Sequence, residues 1–413
     1  MTTIITNIKK LAGTADHQEP LKGIHLANLP SIENAYLIIE DNEIAEFGEM
    51  KNLKSHFQNL NSNTDATGRF VLPAWCDSHT HLVFAGSRET EFVDKIKGLS
   101  YAEVAAKGGG ILNSAKKLNE ISEDELFLQS WKRLQEVSKK GTGAIEIKSG
   151  YGLTVEGELK MLRVIKKLKE KSPLAIKATF LGAHTYPLEF KNNHQAYIDM
   201  ILNEMLPVIE KEKLADYIDV FCETGFFSVE EMDIICKAGK RHGLKPKLHV
   251  NQLSSLGGVE AGILAGAVSL DHLETMSEED IHLLAAASRT IGSLLPTAAF
   301  FLRMPFQPAR QLIDAGCAIA IASDYNPGSS PSGNMNLVVA MSCIQMKMLP
   351  EEAINAGTIN GAFAMEFHKE TGSISIGKRA NIILTKPIPS LAYLPYSFGS
   401  NNIEKVMING EWV

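Results

Sequence analysis

His79, Thr80 and His81 close an apolar run in "LPAWCDSHTHL". Alternate residues of an extended segment point to one side, so both imidazoles can reach a single point. A third histidine, His249, and an aspartate, Asp324, close two further apolar stretches, "KPKLHVNQ" and "AIAIASDYNP". Three imidazoles and a carboxylate make a nitrogen and oxygen set suited to Zn or Fe, held as one divalent or trivalent metal ion per subunit. No thiolate joins the set, which argues against a purely structural zinc. An ion so bound brings the pKa of a water down toward ~7 and polarises a carbonyl. Hydrolysis then also needs a proton acceptor and an acid for the leaving group. His272, at the end of "AVSLDHLE", is the expected base, and Asp324 can share proton transfer besides binding the ion. A lone histidine after an apolar run is more often a hydrogen-bonded core residue. The joint register of these stretches is what carries the metal reading.

The elements that must position these residues are strands alternating with helices. "FVLPAWCDSH", "GAIEIKSG", "AIKATFLGAH", "YIDVFCETG", "KPKLHVNQ", "AVSLDHLE", "TIGSLLPTA" and "AIAIASDYNP" read as strands. Amphipathic segments such as "GELKMLRVIKKLKEKS" and "SVEEMDIICKAGKRHG" lie between them. In the second, Glu230 and Glu231 at the start and Arg241 and His242 at the end suit the helix dipole, and Gly243 stops the helix. Eight such units predict an α/β protein of the TIM (β/α)8 barrel class, with chemistry at the C-terminal strand ends. Five of the twelve histidines fall at those ends: His79, His81, His184, His249 and His272. Lys148, Tyr151, Glu223, Gln252 and Asn326 stand there too. An open doubly wound sheet is the alternative, but no GxGxxG follows a first strand.

Both chain ends read as short strands. "AYLIIEDNEIAEFGEM" has an Asp-Asn turn between apolar runs, and "IEKVMINGEWV" has Asn-Gly; "SISIGKRANIILTKP" reads similarly. Neither end can bury a core alone. Residues 1–65 and 369–413 are therefore expected to join as a small β-sandwich domain beside a barrel of residues 66–368.

At 413 residues the chain exceeds what one core usually supports, in line with two domains. Hydrophobic content of 45% and charge of 22% describe an ordinary globular protein. A net charge of -7 gives no basic footprint for nucleic acid. No run of about 18 apolar residues spans a membrane, and the N-terminus lacks the pattern of a signal peptide. Five scattered cysteines without a CxxC pair fit reduced thiols, so a cytoplasmic protein is expected. Gly108–Gly110 lack the GK[ST] ending of a phosphate loop. They suit instead an unusual backbone shape in the loop after the first strand, as a wall of the pocket.

"DSHTH", the two downstream histidines and "ASD" resemble the metal-dependent amidohydrolase superfamily. "HTHLVFAGSRETEF", "KGLSYAEVAAKGGGIL", "EIKSGYGL", "TFLGAHTYP", "LHVNQLSSLGG", "LDHLE" and "SDYNPGSSP" resemble, in order and across the chain, its imidazolonepropionase family. The resemblance implies a TIM barrel with a β-sandwich built from both termini. It also implies hydrolysis of the ring amide of 4-imidazolone-5-propanoate, a small-molecule substrate, to N-formimidoyl-L-glutamate in histidine degradation, and a homodimer. Two-metal members carry a carboxylated lysine at the end of strand 4; here that strand ends "DVFCETG", which favours a single ion. The propanoate calls for a planar cation, and Arg88 follows strand 1, free to bind it bidentately. Tyr101 and Tyr151 can add hydroxyl donors. By position the family's binding residues fall on Arg88, Tyr151, His184, Gln252, Asn326, Gly328 and Ser329. Many amidohydrolases place a glutamate three residues after the strand-5 histidine. Gln252 stands there, and an amide cannot carry protons as a carboxylate does, so Gln252 is assigned to substrate. The alternatives are another mononuclear amidohydrolase, a deaminase or cyclic amidase, and a non-catalytic scaffold.

Overall fold

The computed structural model describes residues 2–55, 63–98 and 109–413. Strands β1 (Thr2–Ala12), β2 (Ser31–Glu40), β3 (Glu43–Glu49), β4 (Asn63–Asp65) and β5 (Phe70–Pro73) come first. They are followed by β6 (Trp75–Asp77), β7 (Thr142–Lys148), β8 (Ala175–Ala183), β9 (Tyr217–Cys222) and β10 (Lys245–Val250). Next are β11 (Ser269–His272), β12 (Ile291–Leu294) and β13 (Ile319–Ile321); β14 (Ile382–Thr385), β15 (Ile403–Ile408) and β16 (Glu411–Trp412) end the chain. Strands β6 to β13 are parallel neighbours in chain order, and helices fill the crossovers.

The barrel is drawn closed beyond the last ladder residues. Asp324 N donates to His79 O at 3.0 Å and His81 N to Tyr325 O at 2.9 Å, joining the first strand to the eighth. The buried Asp77 carboxylate reinforces the seam by accepting from Ser323 N at 2.9 Å and Ser323 Oγ at 2.6 Å. On the other side, Lys148 N donates to Thr80 O at 2.8 Å. The His-Thr-His segment is thus tied to both neighbours, although it lies past β6.

The terminal segments form one sheet in the order β16-β15-β14-β5-β1-β2-β3, with β4 on β1. Its period-2 alternation separates two jobs. Val71, Ile382 and Leu384 pack with Ile5, Leu37 and Met407 in the sheet's own core. Their neighbours Phe70, Leu72 and Ile383 join the large barrel core. The expected turns occur at Asp41 (φ 55°) and at Asn409 and Gly410 (φ 51° and 82°).

Two strand expectations change. "FVLPAWCDSH" is two strands: Phe70–Pro73 pairs with β1 and β14, and only Trp75–Asp77 enters the barrel. "SISI" is not a strand; Ile374 is buried, but Ile376 projects outward at 70% exposure. The helix expectations hold. Val155–Lys171 starts at Thr154, whose Oγ1 accepts from Gly157 N, and Val229–Arg241 starts at a Ser228/Glu231 capping box.

Candidate metal centre and its cavity

Inward-facing positions of the barrel strands carry charge. Glu146 and Lys148 come from β7, Asp219 from β9, Lys247 and His249 from β10, and Asp271 from β11, all buried. Above this layer His79, His81 and His249 converge, with ligand atoms within 4.8 Å of one another. Asp324 Oδ1 lies 3.5 Å from His79 Nε2 and 3.6 Å from His81 Nε2.

The far side of two rings is fixed. His79 Nδ1 donates to Asp271 Oδ2 at 2.7 Å, and His249 Nδ1 donates to Asp219 Oδ2 at 2.8 Å. A carboxylate acceptor at Nδ1 leaves the lone pair on Nε2, the tautomer that binds a metal. His249 Nε2 faces His81 Nε2 at 3.4 Å, and His79 Nε2 is buried with no hydrogen-bond partner. An orphaned, buried imidazole nitrogen beside a second lone pair and a carboxylate fits a cation. Burial is the main reason all three imidazoles sit well below their ordinary pKa, with the Lys148 ammonium adding to it, so they are neutral donors.

His272 stands beside them, its ring centroid 5.2 Å from that of His249 and 5.8 Å from that of His79. The backbone at His272 (φ 89°) and Leu273 (φ 66°) is left-handed, turning the chain sharply at the strand end. His272 Nδ1 lies 3.2 Å from Glu274 Oε1, which also accepts from Gln307 Nε2 at 2.9 Å. Burial disfavours the imidazolium, but Glu274, Asp324 and Asp271 outweigh it and raise the His272 pKa. Burial pushes Asp324 up to about 6, partly offset by His272.

A cavity of about 520 Å³ opens above this floor. It is lined by His81, Arg88, Tyr151, His184, His249, Gln252, His272, Asp324, Asn326, Gly328 and Ser329, with apolar walls from Ile111, Phe221, Phe226, Leu253, Leu302 and Met304. His79 lies beneath it. Ile111 follows Gly110, whose φ of 85° precedes the helix Ile111–Glu120. Tyr101 and Gly108 lie outside the described residues.

Several lining residues are braced from behind. Arg88 pairs with Glu91. His184 Nδ1 donates to Gly150 O at 2.9 Å, and burial lowers the His184 pKa to about 4. Its ring stacks on His81 with centroids 5.3 Å apart. The Tyr151 loop is held by Glu158, which accepts from the backbone N–H groups of Gly150, Gly152 and Leu153. Asn326 uses its whole amide on its own loop: Nδ2 donates to Asp324 O and Ser329 Oγ, and Oδ1 accepts from Gly328 N and Ser329 N. Glu223, at the end of β9, turns from the ion cluster and accepts from Gln252 N, Leu253 N and Ser254 N.

Sequence reasoning missed Asp219, Asp271, Glu274 and the part played by Lys148. The signal for the buried ones was a charged residue at alternate positions of an apolar strand, as in "AIEIK" and "YIDVF".

An eight-stranded parallel barrel with histidines and an aspartate gathered at its C-terminal end defines the metallohydrolase class. Comparison with known proteins agrees. Residues 70–413 match the model of the amidohydrolase family. The chain is 58% identical to the imidazolonepropionase of Flavobacterium johnsoniae, covering 100% of both chains. It is 41% identical to that of Thermoanaerobacter pseudethanolicus, over 98% of this chain and 96% of the other. Among solved structures, E. coli guanine deaminase superposes with a TM-score of 0.75 at 12% identity, covering 100% of this chain and 99% of that one. A triazine hydrolase variant gives 0.74 at 15% identity, covering 100% and 94%. At these identities the two likenesses establish the barrel architecture alone. The chain belongs to the amidohydrolase family and, within it, to the imidazolonepropionases.

Proposed function

We propose that the chain hydrolyses the ring amide C–N bond of 4-imidazolone-5-propanoate to give N-formimidoyl-L-glutamate. The observation that carries this reading is one cavity with the histidine cluster on its floor and Arg88 on its wall. His79, His81, His249 and Asp324 would hold one ion, Zn or Fe. Bound there, it would acidify water and polarise the ring carbonyl.

The chain's own groups supply the rest. His272, steadied by Glu274, takes the proton from the attacking water and returns it to the departing ring nitrogen. Asp324, which lines the same cavity as His272, shares this transfer. Arg88 presents its guanidinium to the propanoate, Tyr151 stands within the same cavity as a hydroxyl donor, and Ser329, whose Oγ donates to Asp324 Oδ2 at 3.2 Å, lines the cavity against substrate. Tyr101 is assigned a further hydroxyl contact with substrate. Gln252, Asn326 and Gly328 shape the pocket, and His184 offers its second ring nitrogen. The apolar walls exclude water around the ring.

The five cysteines are all free thiols, which fits a cytoplasmic protein, and family resemblance supports a homodimer. Among the described residues no helix is long and apolar enough to cross a membrane. Incubation of freshly generated imidazolonepropanoate with the purified protein tests the activity. Accelerated loss of the substrate's ultraviolet absorbance, with formimidoylglutamate as product, is expected; a rate equal to that of buffer would sink the reading.

A further inference from the structure

Beneath the histidines, two lysines and three carboxylates are sealed from solvent. A buried ammonium is costly unless each of its donors is met. Lys148 has three donors and three carboxylate partners: Glu146 Oε1 at 2.8 Å, Asp219 Oδ2 at 2.8 Å and Asp271 Oδ2 at 3.3 Å. The atoms it meets on the two aspartates are telling. Asp219 Oδ2 is the oxygen that accepts from His249 Nδ1, and Asp271 Oδ2 is the one that accepts from His79 Nδ1. One ammonium therefore touches the anchors of two of the three histidines.

Each anchor is also pinned at its other oxygen. Asp219 Oδ1 accepts from His249 N at 3.0 Å, and Asp271 Oδ1 accepts from Ser269 Oγ at 2.5 Å. The three partners come from the second, fourth and sixth barrel strands, the alternation that builds one layer of a barrel interior. Without a cation between them, the two aspartate oxygens would repel each other across a dry gap, and one would turn away, releasing the imidazole it holds.

We propose that Lys148 is a positioning residue for the metal centre, fixing the orientation and tautomer of His79 and His249 through the aspartate oxygens it shares with them. Lys247 supplies an internal control. It is as deeply buried as Lys148, but its ammonium donates to Ser269 Oγ at 2.7 Å and Ala364 O at 3.0 Å and pairs by charge with Glu146 Oε2 at 3.2 Å. It reaches the Asp271 anchor at one remove, through Ser269 Oγ, and touches neither aspartate oxygen that holds a histidine.

The proposal rests on the metal-centre reading, so the test separates the two. Wild type and two charge-balanced double variants, Lys148→Met/Glu146→Gln and Lys247→Met/Glu146→Gln, are stripped with a chelator. Their Zn²⁺ affinity is then measured by competition with a chromophoric chelator, and the fold of the metal-free proteins by circular dichroism and thermal melting. Failure of the wild type to bind Zn²⁺ would defeat the metal-centre reading itself. With wild-type binding intact, the Lys148 variant should bind roughly 10- to 100-fold more weakly, the usual effect of losing outer support for metal ligands. The Lys247 variant should lose markedly less affinity than the Lys148 variant, whatever its melting temperature, because Lys247 reaches one anchor, Asp271, and does so through Ser269. Unchanged affinity in the Lys148 variant, or equal loss in both, overturns the proposal. Should the Lys148 variant not fold, nitrogen NMR of metal-free, ¹⁵N-histidine-labelled wild type decides. The Nδ1–H tautomer is expected at both His79 and His249, and an Nε2–H tautomer at either overturns the assignment.

Discussion

Arg88 and Glu91 are locked together on the cavity wall: Nε and Nη2 of the arginine both meet Glu91 Oε2, at 2.8 and 2.7 Å. Asn113 Nδ2 approaches the other carboxylate oxygen at 3.4 Å. The pair fixes the guanidinium plane before substrate arrives, which lowers the ordering cost of binding. A charge-assisted hydrogen bond contributes about 1.5–3 kcal/mol. Arg88→Ala should therefore raise KM roughly 10- to 100-fold, with metal content intact and a smaller effect on kcat. Glu91→Gln should raise KM by less, because the arginine remains but is no longer held. Steady-state kinetics with elemental analysis of each variant checks both.

His81→Ala should lose metal and activity together. The ring offers Nε2 to the cluster, and its backbone N–H, which stays in the alanine variant, still ties the barrel seam to Tyr325 O. The fold is therefore expected to survive while the ion does not. Elemental analysis of gently purified protein would show near-stoichiometric metal in the wild type and little in the variant. A variant that keeps its metal would exclude His81 as a ligand.

How much of this was legible in the sequence differs from residue to residue. His79, His81, His249, His272 and Asp324 could be found because each follows an apolar run, and the barrel brings all strand ends to one rim. Asp271 could not be paired with His79, because that contact joins the first and sixth barrel strands, 192 residues apart; Asp219 and His249 lie on consecutive strands, but nothing in the sequence fixes their register. The break at Ala74 was also hidden. Phe70 to Asp77 are buried throughout, so the hydrophobic pattern does not change where the chain leaves one sheet for another. Asn326 illustrates the opposite case: position placed it in the pocket, but its amide groups are committed to the loop that carries Asp324.

His272→Asn should keep the metal and most substrate affinity while lowering kcat. A positioned general base contributes typically 10²- to 10⁴-fold, so a loss of about that size is expected. Glu274→Gln should give a smaller loss, since the imidazole stays but its carboxylate partner becomes neutral. Comparison of kcat, KM and bound metal separates these outcomes from simple loss of the ion. An unchanged kcat in His272→Asn would remove it as the base.

Gly328 gives the most selective test of the cavity wall. A Cβ built there would come within 2.2 Å of Arg88 Nη1 and 2.9 Å of Cζ. The backbone at Gly328 is not among the left-handed glycines, so alanine fits the local conformation. What must yield is the end of a long side chain, and Arg88 can swing aside at little cost to the fold. Doing so breaks its alignment with Glu91 and moves the guanidinium out of reach of a carboxylate in the pocket. Gly328→Ala should therefore melt within a few degrees of wild type and bind metal normally, yet raise KM nearly as much as Arg88→Ala. The double variant Arg88→Ala/Gly328→Ala should be little worse than Arg88→Ala alone, because both changes remove one interaction. Additive losses would mean that Gly328 acts on substrate by a route other than Arg88.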